Sequence, residues 1–452
     1  MTSTTLTKQI DIAAGRLNLS LTEGAERLDE LLSFASRLNP HRGYLFVSRV
    51  LGKHVPVLPS KMDAIHEELA ATVCLAGRIP YVVGMEETAI GLGAGVARHL
   101  GRRATVAVYQ HTTRFLVPEP WLRIRDPHSL ADTMLIAHLN EESAVLAAES
   151  RDLVLVVDEI STDKTLAQLA RELLNTELLA HVTDLHIVSL VSWLTDEARA
   201  ALLAELPSHV EVHFVQLMAG TYTFTPDPEY RAELPEHVDT DFCSTLMADD
   251  RPSAPLPIEQ DGLFGKVLGL DDEPWPARIA ECHALYTDLH RSPDITGPLA
   301  VYGMGEYLDA PFRLALALES LGHDVRFQSS TRSPIAVGDD IAGMLEMPAI
   351  GQSGRDGKRH FLYNPDSKRR PLAFSGTCEP TLQAALASAH WAYGRQQNAK
   401  AKKCDVGTYV PIWTALCSAA NAQSQQVPPN RCLSQYATLS RSRLWACKHL
   451  RR

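Results

Sequence analysis

Asp158 and Glu159, the hydroxyls of Ser161, Thr162 and Thr165, and the ammonium of Lys164 follow directly on the apolar run Leu153 to Val157. Carboxylates accept hydrogen bonds from sugar hydroxyls, whereas hydroxyls, a lysine and the N–H groups of a helix start suit a phosphate. The apolar run has the length and boundaries of a buried parallel strand. From Lys164 onward the spacing is helical, with Ser161 or Thr162 available as cap. Strand, polar loop and helix start together form an anion site, because the helix dipole and its N–H groups both favour negative charge. The combination suggests a sugar-phosphate ligand, and a capped helix with no ligand is the plainer alternative. An apolar run ending in acids also occurs in P-loop ATPases. Those need Gly-x-x-x-x-Gly-Lys-Ser/Thr, which this chain lacks.

Three more polar clusters stand where strands should end. Ser48-Arg49-Val50-Leu51-Gly52-Lys53-His54 offers two cations and a glycine, suited to a pyrophosphate or simply solvated in a turn. Gly84 to Gly93 carries glycines that allow close backbone approach, with Thr88 placed to cap a helix. Gln110-His111-Thr112-Thr113-Arg114 turns polar and cationic as its strand finishes. In parallel α/β sheets, loops at the carboxyl ends of strands hold the ligand, so the four clusters are expected to converge.

The elements that must position them alternate strand and helix, the pattern of a parallel α/β domain. Strands are expected over 43–50, 79–85, 104–109, 153–157, 185–192 and 210–217, and helices over 62–75, 88–100 and from Lys164. Residues 221–272 shift toward Pro, Asp and Glu, the composition of a linker or irregular excursion. A second α/β unit follows, with strands from Leu299, Val325 and His360 and a helix over 311–321. A chain of 452 residues has room for two or three cored domains. Its net charge of −11 argues against nucleic acid or anionic membrane as a general partner. No apolar run approaches the roughly 20 residues that span a bilayer, and the first residues lack the pattern of a signal peptide. Eight scattered cysteines without metal-ligand spacing point to reduced thiols, so a cytoplasmic location is expected.

Asp158 to Thr165 resembles the phosphoribosyl pyrophosphate loop of type I phosphoribosyltransferases. Together with Arg42 to His54, Gly84 to Gly93 and His111 to Arg114, it is most similar to the orotate phosphoribosyltransferase-like branch of tellurium-resistance and stress gene clusters. In the second half, Val301-Tyr302-Gly303-Met304-Gly305-Glu306, Pro311-Phe312 and Gln328-Ser329-Ser330-Thr331-Arg332-Ser333-Pro334-Ile335 resemble the TRSP domain that follows this transferase domain in the family. The resemblance spans roughly residues 25 to 375. It implies a phosphoribosyltransferase-like domain over 25–220 and a smaller α/β TRSP domain over 291–390. Composition makes 221–290 a linker or irregular excursion, and 391–452, which the resemblance does not reach, a basic tail expected to be disordered.

The activity implied is transfer of ribose 5-phosphate from phosphoribosyl pyrophosphate to a nitrogen base or base-like acceptor, with magnesium as cofactor. By motif position, Asp158 would hold the ribose hydroxyls, through the metal or directly. Ser161, Thr162, Lys164 and Thr165 would surround the 5-phosphate. Ser48, Arg49 and Lys53 would face the pyrophosphate, Thr88 would be a further binding residue, and His111 and Arg114 would lie near the leaving group or acceptor. The resemblance departs at Val157, where the family has the first of two acids, and at Asp163, where it has a glycine. Asp126 to Ala131 has one histidine in place of a pair. The alternative is therefore a catalytically impaired ligand sensor or scaffold on the same fold. A homodimer is expected from the class.

Arg332, flanked by hydroxyls beyond a strand, would bind a phosphate or carboxylate, or else pair internally in a structural turn. Beyond Tyr393 the charges are almost wholly basic and half of the cysteines gather. Disorder is the favoured reading of that tail, and nucleic-acid contact, unexpected elsewhere in the chain, is its alternative.

Overall fold

The computed structural model describes residues 5–37, 43–114, 117, 119–125, 133–161, 164–231, 262–269, 297–347, 360–366, 368–375 and 390–393. The expectations for Asp126 to Ala131, Thr162, Asp163 and the tail past residue 393 fall outside these residues.

In chain order the first unit contains β1 (Leu6–Ile12), β2 (Gly15–Glu23), α1 (Leu28–Leu31), β3 (Leu32–Ser36), β4 (Tyr44–Ser48) and α2 (Pro59–Thr72). Next come β5 (Tyr81–Gly84), α3 (Ile90–Ala104), β6 (Val106–His111), β7 (Leu122–Arg125), β8 (Thr133–Ile136) and α4 (Glu141–Ala147). It continues through β9 (Asp152–Val156), β10 (Glu159–Ile160), α5 (Lys164–Leu174), β11 (Asp184–Ser192), α6 (Asp196–Ala204), β12 (Glu211–Pro226) and β13 (Lys266–Gly269).

The main sheet runs β1-β2-β12-β11-β9-β5-β6-β13. Its centre, β12-β11-β9-β5-β6, is parallel, while β2 on one side and β13 on the other join antiparallel. Two apolar layers cover its faces. One joins Leu69, Leu92, Val96 and Leu100 to Val82, Val154 and Val188; the other joins Leu166, Leu169 and Leu173 to Val83, Leu155 and Ile187. Neighbouring strand residues alternate between these layers, as the two-residue period requires. The fold is thus α/β with a mostly parallel sheet between helices, as the sequence implies. The additions are at the edges: β1 and β2 lie ahead of residue 25, and β13 comes from the stretch expected to be irregular. Leu17, Leu19 and Leu21 are fully buried on one side of β2, an alternation the sequence does display.

The second unit holds β14 (Leu299–Met304), α7 (Asp309–Ser320), β15 (Val325–Ser329), β16 (Gly343–Met347), β17 (His360–Tyr363), β18 (Arg370–Ser375) and β19 (His390–Tyr393). β14 is central to a parallel trio, β15-β14-β18, and β16 is central to an antiparallel trio, β17-β16-β19. The two units share backbone hydrogen bonds. Val57 and Phe327 exchange a pair at 2.9 Å each way, and the Ser329 N–H donates to Gly52 O at 2.7 Å. Ala35 and Val47 of the β3–β4 hairpin share one apolar cluster with Ile335, Met344, Phe361 and Tyr363. Phe312 of α7 packs edge-on against His66 of α2 at 5.3 Å. Among the described residues, no helix is long and apolar enough to cross a membrane.

Strand β5 and helix α3 meet at Gly84 and Gly93. A Cβ on Gly93 would lie 2.8 Å from Gly84 Cα, and one on Gly84 would lie 2.8 Å from Ala89 O. Backbone stands on both sides, so neither can yield cheaply. Gly93→Ala is therefore expected to destabilise the chain by about 1–3 kcal/mol in urea unfolding. Gly91→Ala serves as the contrast, because its Cβ would meet only ordinary contacts, Met62 Cε at 3.5 Å and Leu308 Cβ at 3.8 Å. The helix-propensity gain of up to about 1 kcal/mol should then show. Equal effects at the two positions would show that the close approach is not what matters.

Candidate phosphoribosyl site and its ion-pair cluster

Chain order reverses across the sheet at β5, which lies between β6 and β9. A crevice beyond the carboxyl ends of β5 and β9 follows from that reversal. Backbone bonds hold the emerging loops side by side. Met85 N–H donates to Val156 O at 2.9 Å, Thr112 N–H to Gly84 O at 3.0 Å, and Glu86 N–H to Thr112 Oγ1 at 2.8 Å. Loops 84–88, 157–161 and 111–114 therefore form one continuous rim.

On the β9 side, Asp158 is half-buried between β9 and β10, its carbonyl accepting from Leu190 N–H at 3.1 Å. Ser161 is half-buried, Lys164 is exposed at the first position of α5, and Thr165 is buried beside it. Val157, at the position of the family's first acid, is buried in an apolar layer with Val83 and Ile160. Its side chain serves packing and leaves Asp158 as the acid at the end of β9. Thr88 is half-buried in the turn before α3, and His111 is buried at the end of β6 with Nδ1 2.9 Å from Thr112 O.

Lys53 and Arg114 come together through two consecutive glutamates of the β5 loop. Lys53 Nζ lies 3.0 Å from Glu87 Oε1, and the Arg114 guanidinium pairs with Glu86. Arg332 of the second unit joins them. Its guanidinium donates to Glu86 Oε2 at 2.9 Å, its backbone N–H reaches both Glu87 oxygens at 3.2 Å, and Nε stands 3.5 Å from Glu87 Oε2. Glu306, just past β14, completes the group. Thr113 Oγ1 donates to its Oε2 at 2.5 Å, and Arg114 N–H to its Oε1 at 3.1 Å. Arg49 and Ser48 do not join this cluster in the contacts described. The Arg49 guanidinium lies 4.0 Å from Asp340, and Ser48 Oγ accepts from Val50 N–H at 3.2 Å.

Burial sets the electrostatics of the cluster. It would raise Glu87, but Lys53 and Arg332 alongside hold that carboxyl down at about 2. Glu306 goes the other way. Burial lifts it and the neighbouring Glu86 adds repulsion, so it rises to about 7 despite Arg332 and the bond from Thr113. The arginine is held in its charged form, since the three glutamates outweigh its desolvation. Glu86, Glu87 and Glu306 were not marked as site residues by the sequence, although two adjacent acids at a strand end are a readable signal. Their partner in the second unit is not, because it stands 246 positions from Glu86.

Among the described residues, one further group has ligand atoms close enough for a metal ion: Asp184, Glu211 and His213. It lies at the start of β11 and β12, the opposite end of the parallel strands from the crevice.

Adenine phosphoribosyltransferase from Rhodothermus marinus is 19% identical, with 43% of this chain and 97% of that one covered and a TM-score of 0.29. The Saccharomyces cerevisiae adenine phosphoribosyltransferase, complexed with D-2,5-dideoxy-2,5-imino-altritol 1,6-bisphosphate and adenine, is 19% identical over 43% and 98%, with a TM-score of 0.27. The Trypanosoma brucei enzyme, in complex with AMP, pyrophosphate and ribose-5-phosphate, is 13% identical over 42% and 78%, with a TM-score of 0.30. No curated protein matches the chain. The phosphoribosyl transferase family model matches residues 31–221, and the model of the TRSP domain C-terminal to that transferase matches residues 277–375. The chain thus carries, in this order, a phosphoribosyl transferase domain over residues 31–221 and the TRSP domain that follows such a transferase over residues 277–375.

Proposed function

We propose that the chain transfers ribose 5-phosphate from phosphoribosyl pyrophosphate to a nitrogen of a base-like acceptor, releasing pyrophosphate. The observation that carries this reading is the convergence of three loops at the β5/β9 crevice, acid and hydroxyls on one side and cations on the other. As the bond from ribose carbon to diphosphate oxygen breaks, positive charge develops on the sugar and negative charge on the leaving group. Charge neutralisation and alignment are then the main requirements, and no covalent nucleophile is needed. Asp158 faces the ribose hydroxyls, while Ser161, Lys164 and Thr165 surround the 5-phosphate at the start of α5. Lys53 and Arg114 serve the diphosphate, with His111 at the acceptor side.

Magnesium fits the donor set. It binds through one or two carboxylates plus substrate oxygens and waters, and Asp158 supplies such a carboxylate at the strand end. Held by Asp158, the ion would supply a hard positive charge to the departing diphosphate.

Calorimetric titration of the full chain with phosphoribosyl pyrophosphate and magnesium tests the reading. Micromolar binding is expected, with Asp158→Ala weakening it by about tenfold or more, a loss of at least ~1.4 kcal/mol. No binding by the wild type would sink the proposal. Burial of Val157 in the core favours one second reading, a ligand sensor that keeps affinity without turnover. Binding with no pyrophosphate release across a panel of purine and pyrimidine bases would select it.

A further inference from the structure

The TRSP motif is held rigidly before it reaches the crevice. Ser330 N–H donates to Gly303 O at 3.0 Å, and Ser330 Oγ accepts from Gly305 N–H at 2.9 Å. Ser333 N–H donates to Thr331 Oγ1 at 3.1 Å, and Ser333 Oγ accepts from Arg37 at 3.1 Å. Tyr363 clamps the end of the motif, donating to Ser333 O at 2.8 Å and accepting from Ile335 N–H at 2.7 Å. Arg332 projects from this frame onto the same two glutamates that hold Lys53 and Arg114.

A purely structural clamp between the two units already exists elsewhere and looks different. Arg98 of α3 pairs with Asp309 of α7, and those side chains are sealed, 4% and 2% exposed. In the Arg332 cluster Lys53 and Glu86 are as sealed, at 2% each, but Arg332, Arg114 and Glu87 retain 11%, 10% and 14% exposure at the crevice rim. Arg332 and Arg114 stand at a rim that solvent reaches, with Lys53 sealed beside them at 2% exposure, and these cations match a ligand with several negative charges. A guanidinium fork also fits phosphate oxygens two at a time.

We propose that the TRSP domain completes the transferase site, with Arg332 binding the diphosphate of phosphoribosyl pyrophosphate alongside Lys53 and Arg114. This rests on the phosphoribosyl reading given above and extends it to the second unit. Glu86 and Glu87 hold the three cations in place. The diphosphate takes over from carboxylate oxygens as the partner of the guanidinium, one set of charge-assisted hydrogen bonds replacing another. Glu306 adds to the effect, because a proton there removes one of the three negative charges that compete for Arg332.

The test is calorimetry on the full chain with three probes: phosphoribosyl pyrophosphate with magnesium, inorganic pyrophosphate with magnesium, and ribose 5-phosphate. Arg332→Gln is expected to weaken the first two by about tenfold or more and to leave ribose 5-phosphate within about twofold. Arg332→Lys, which keeps the charge but loses the fork, should fall between. Asp309→Asn, which loosens the same interface from its other side, should lower the melting temperature without changing the ratio of the affinities. Equal losses for all three probes in Arg332→Gln would make the arginine a structural clamp, and no loss for any would remove it from the site. Both outcomes overturn the proposal. A wild-type chain that binds ribose 5-phosphate and phosphoribosyl pyrophosphate keeps the phosphoribosyl reading in either case, whereas one that binds neither overturns both.

Discussion

Asp309→Ala is expected to cost the chain about 3–5 kcal/mol of unfolding free energy, the usual effect of removing one partner from a buried ion pair. Asp309 begins α7 and is almost wholly buried. Burial would raise its carboxyl, but Arg98 and Lys266 beside it hold it below the ordinary carboxylate range. The Arg98 guanidinium pairs with it from α3, and Lys266 Nζ of β13 lies 3.3 Å away. Without the carboxylate, a guanidinium that water barely reaches keeps its charge, since arginine does not give up its proton in a protein. Three elements meet at this residue, so the loss should loosen the second unit from α3 and β13 together. Removing both charges with Arg98→Met and Asp309→Leu should recover most of the stability, because well-packed apolar residues often replace a buried pair without penalty. Urea unfolding of the single and double variants decides this. A single variant within ~1 kcal/mol of the wild type would show that the pair contributes little.

The second large effect is acid lability, and it begins well above the pH at which carboxylates titrate. His54 and His66 are buried, and neither ring has a hydrogen-bond partner among the described residues. Burial dominates at both. Lys53 adds repulsion at His54, Asp63 opposes the shift at His66, and each imidazole is pushed down to about 3. An unfolded histidine titrates near 6.5, so both rings are neutral in the folded chain and take up protons only when it opens. Their stabilising contribution is fully present above pH ~6.5 and is lost as pH falls toward 3, at about 1.4 kcal/mol per pH unit each.

Glu306 has the opposite sign. Raised to about 7, it contributes stability that is full below the unfolded value near 4.5 and fades as pH rises through 7. Between pH 6.5 and 4.5 two losses therefore run against one gain, a net fall of about 1.4 kcal/mol per unit on acidification. Below pH 4.5 the offset ends, and Glu87, held at about 2, begins to lose its contribution as well. From pH 6.5 to 5 the wild type should lose about 2 kcal/mol, and His66→Leu, which removes one proton-binding site, should lose almost nothing. Urea unfolding at the two pH values measures both. Parallel losses in the two proteins would mean that His66 is not the site of proton uptake.

Both predictions rest on groups whose chemistry is ordinary in the sequence and unusual in place. His66 is one histidine in a helical run, yet its ring lies between Gly95 and Phe312, with Nδ1 2.0 Å from where a Cβ on Gly95 would stand. Glu306 is an acid after a glycine, and only the rim of loops around it makes it a proton carrier near neutrality. The same contrast runs through the candidate site. Leu153 to Val157, the helix from Lys164 and the loop between them are legible because apolar runs and helical spacing are local properties. Their order along the chain, alternating strand and helix, already requires a parallel sheet with loops meeting at one end.

What the sequence by itself determined is this set of elements, the end of the sheet at which its polar loops gather, and the succession of a phosphoribosyl transferase domain and a TRSP domain. The tertiary structure alone decided which charges face one another: Arg332 on Glu86 and Glu87, Arg98 on Asp309, and Arg49 turned toward Asp340. It also decided that β1, β2 and β13 extend the sheet, and that Val157 belongs to the core. Local pattern is set by a few neighbouring residues, whereas partner choice and desolvation are sums over groups hundreds of positions apart. Those sums exist only once the sheet has brought the groups together.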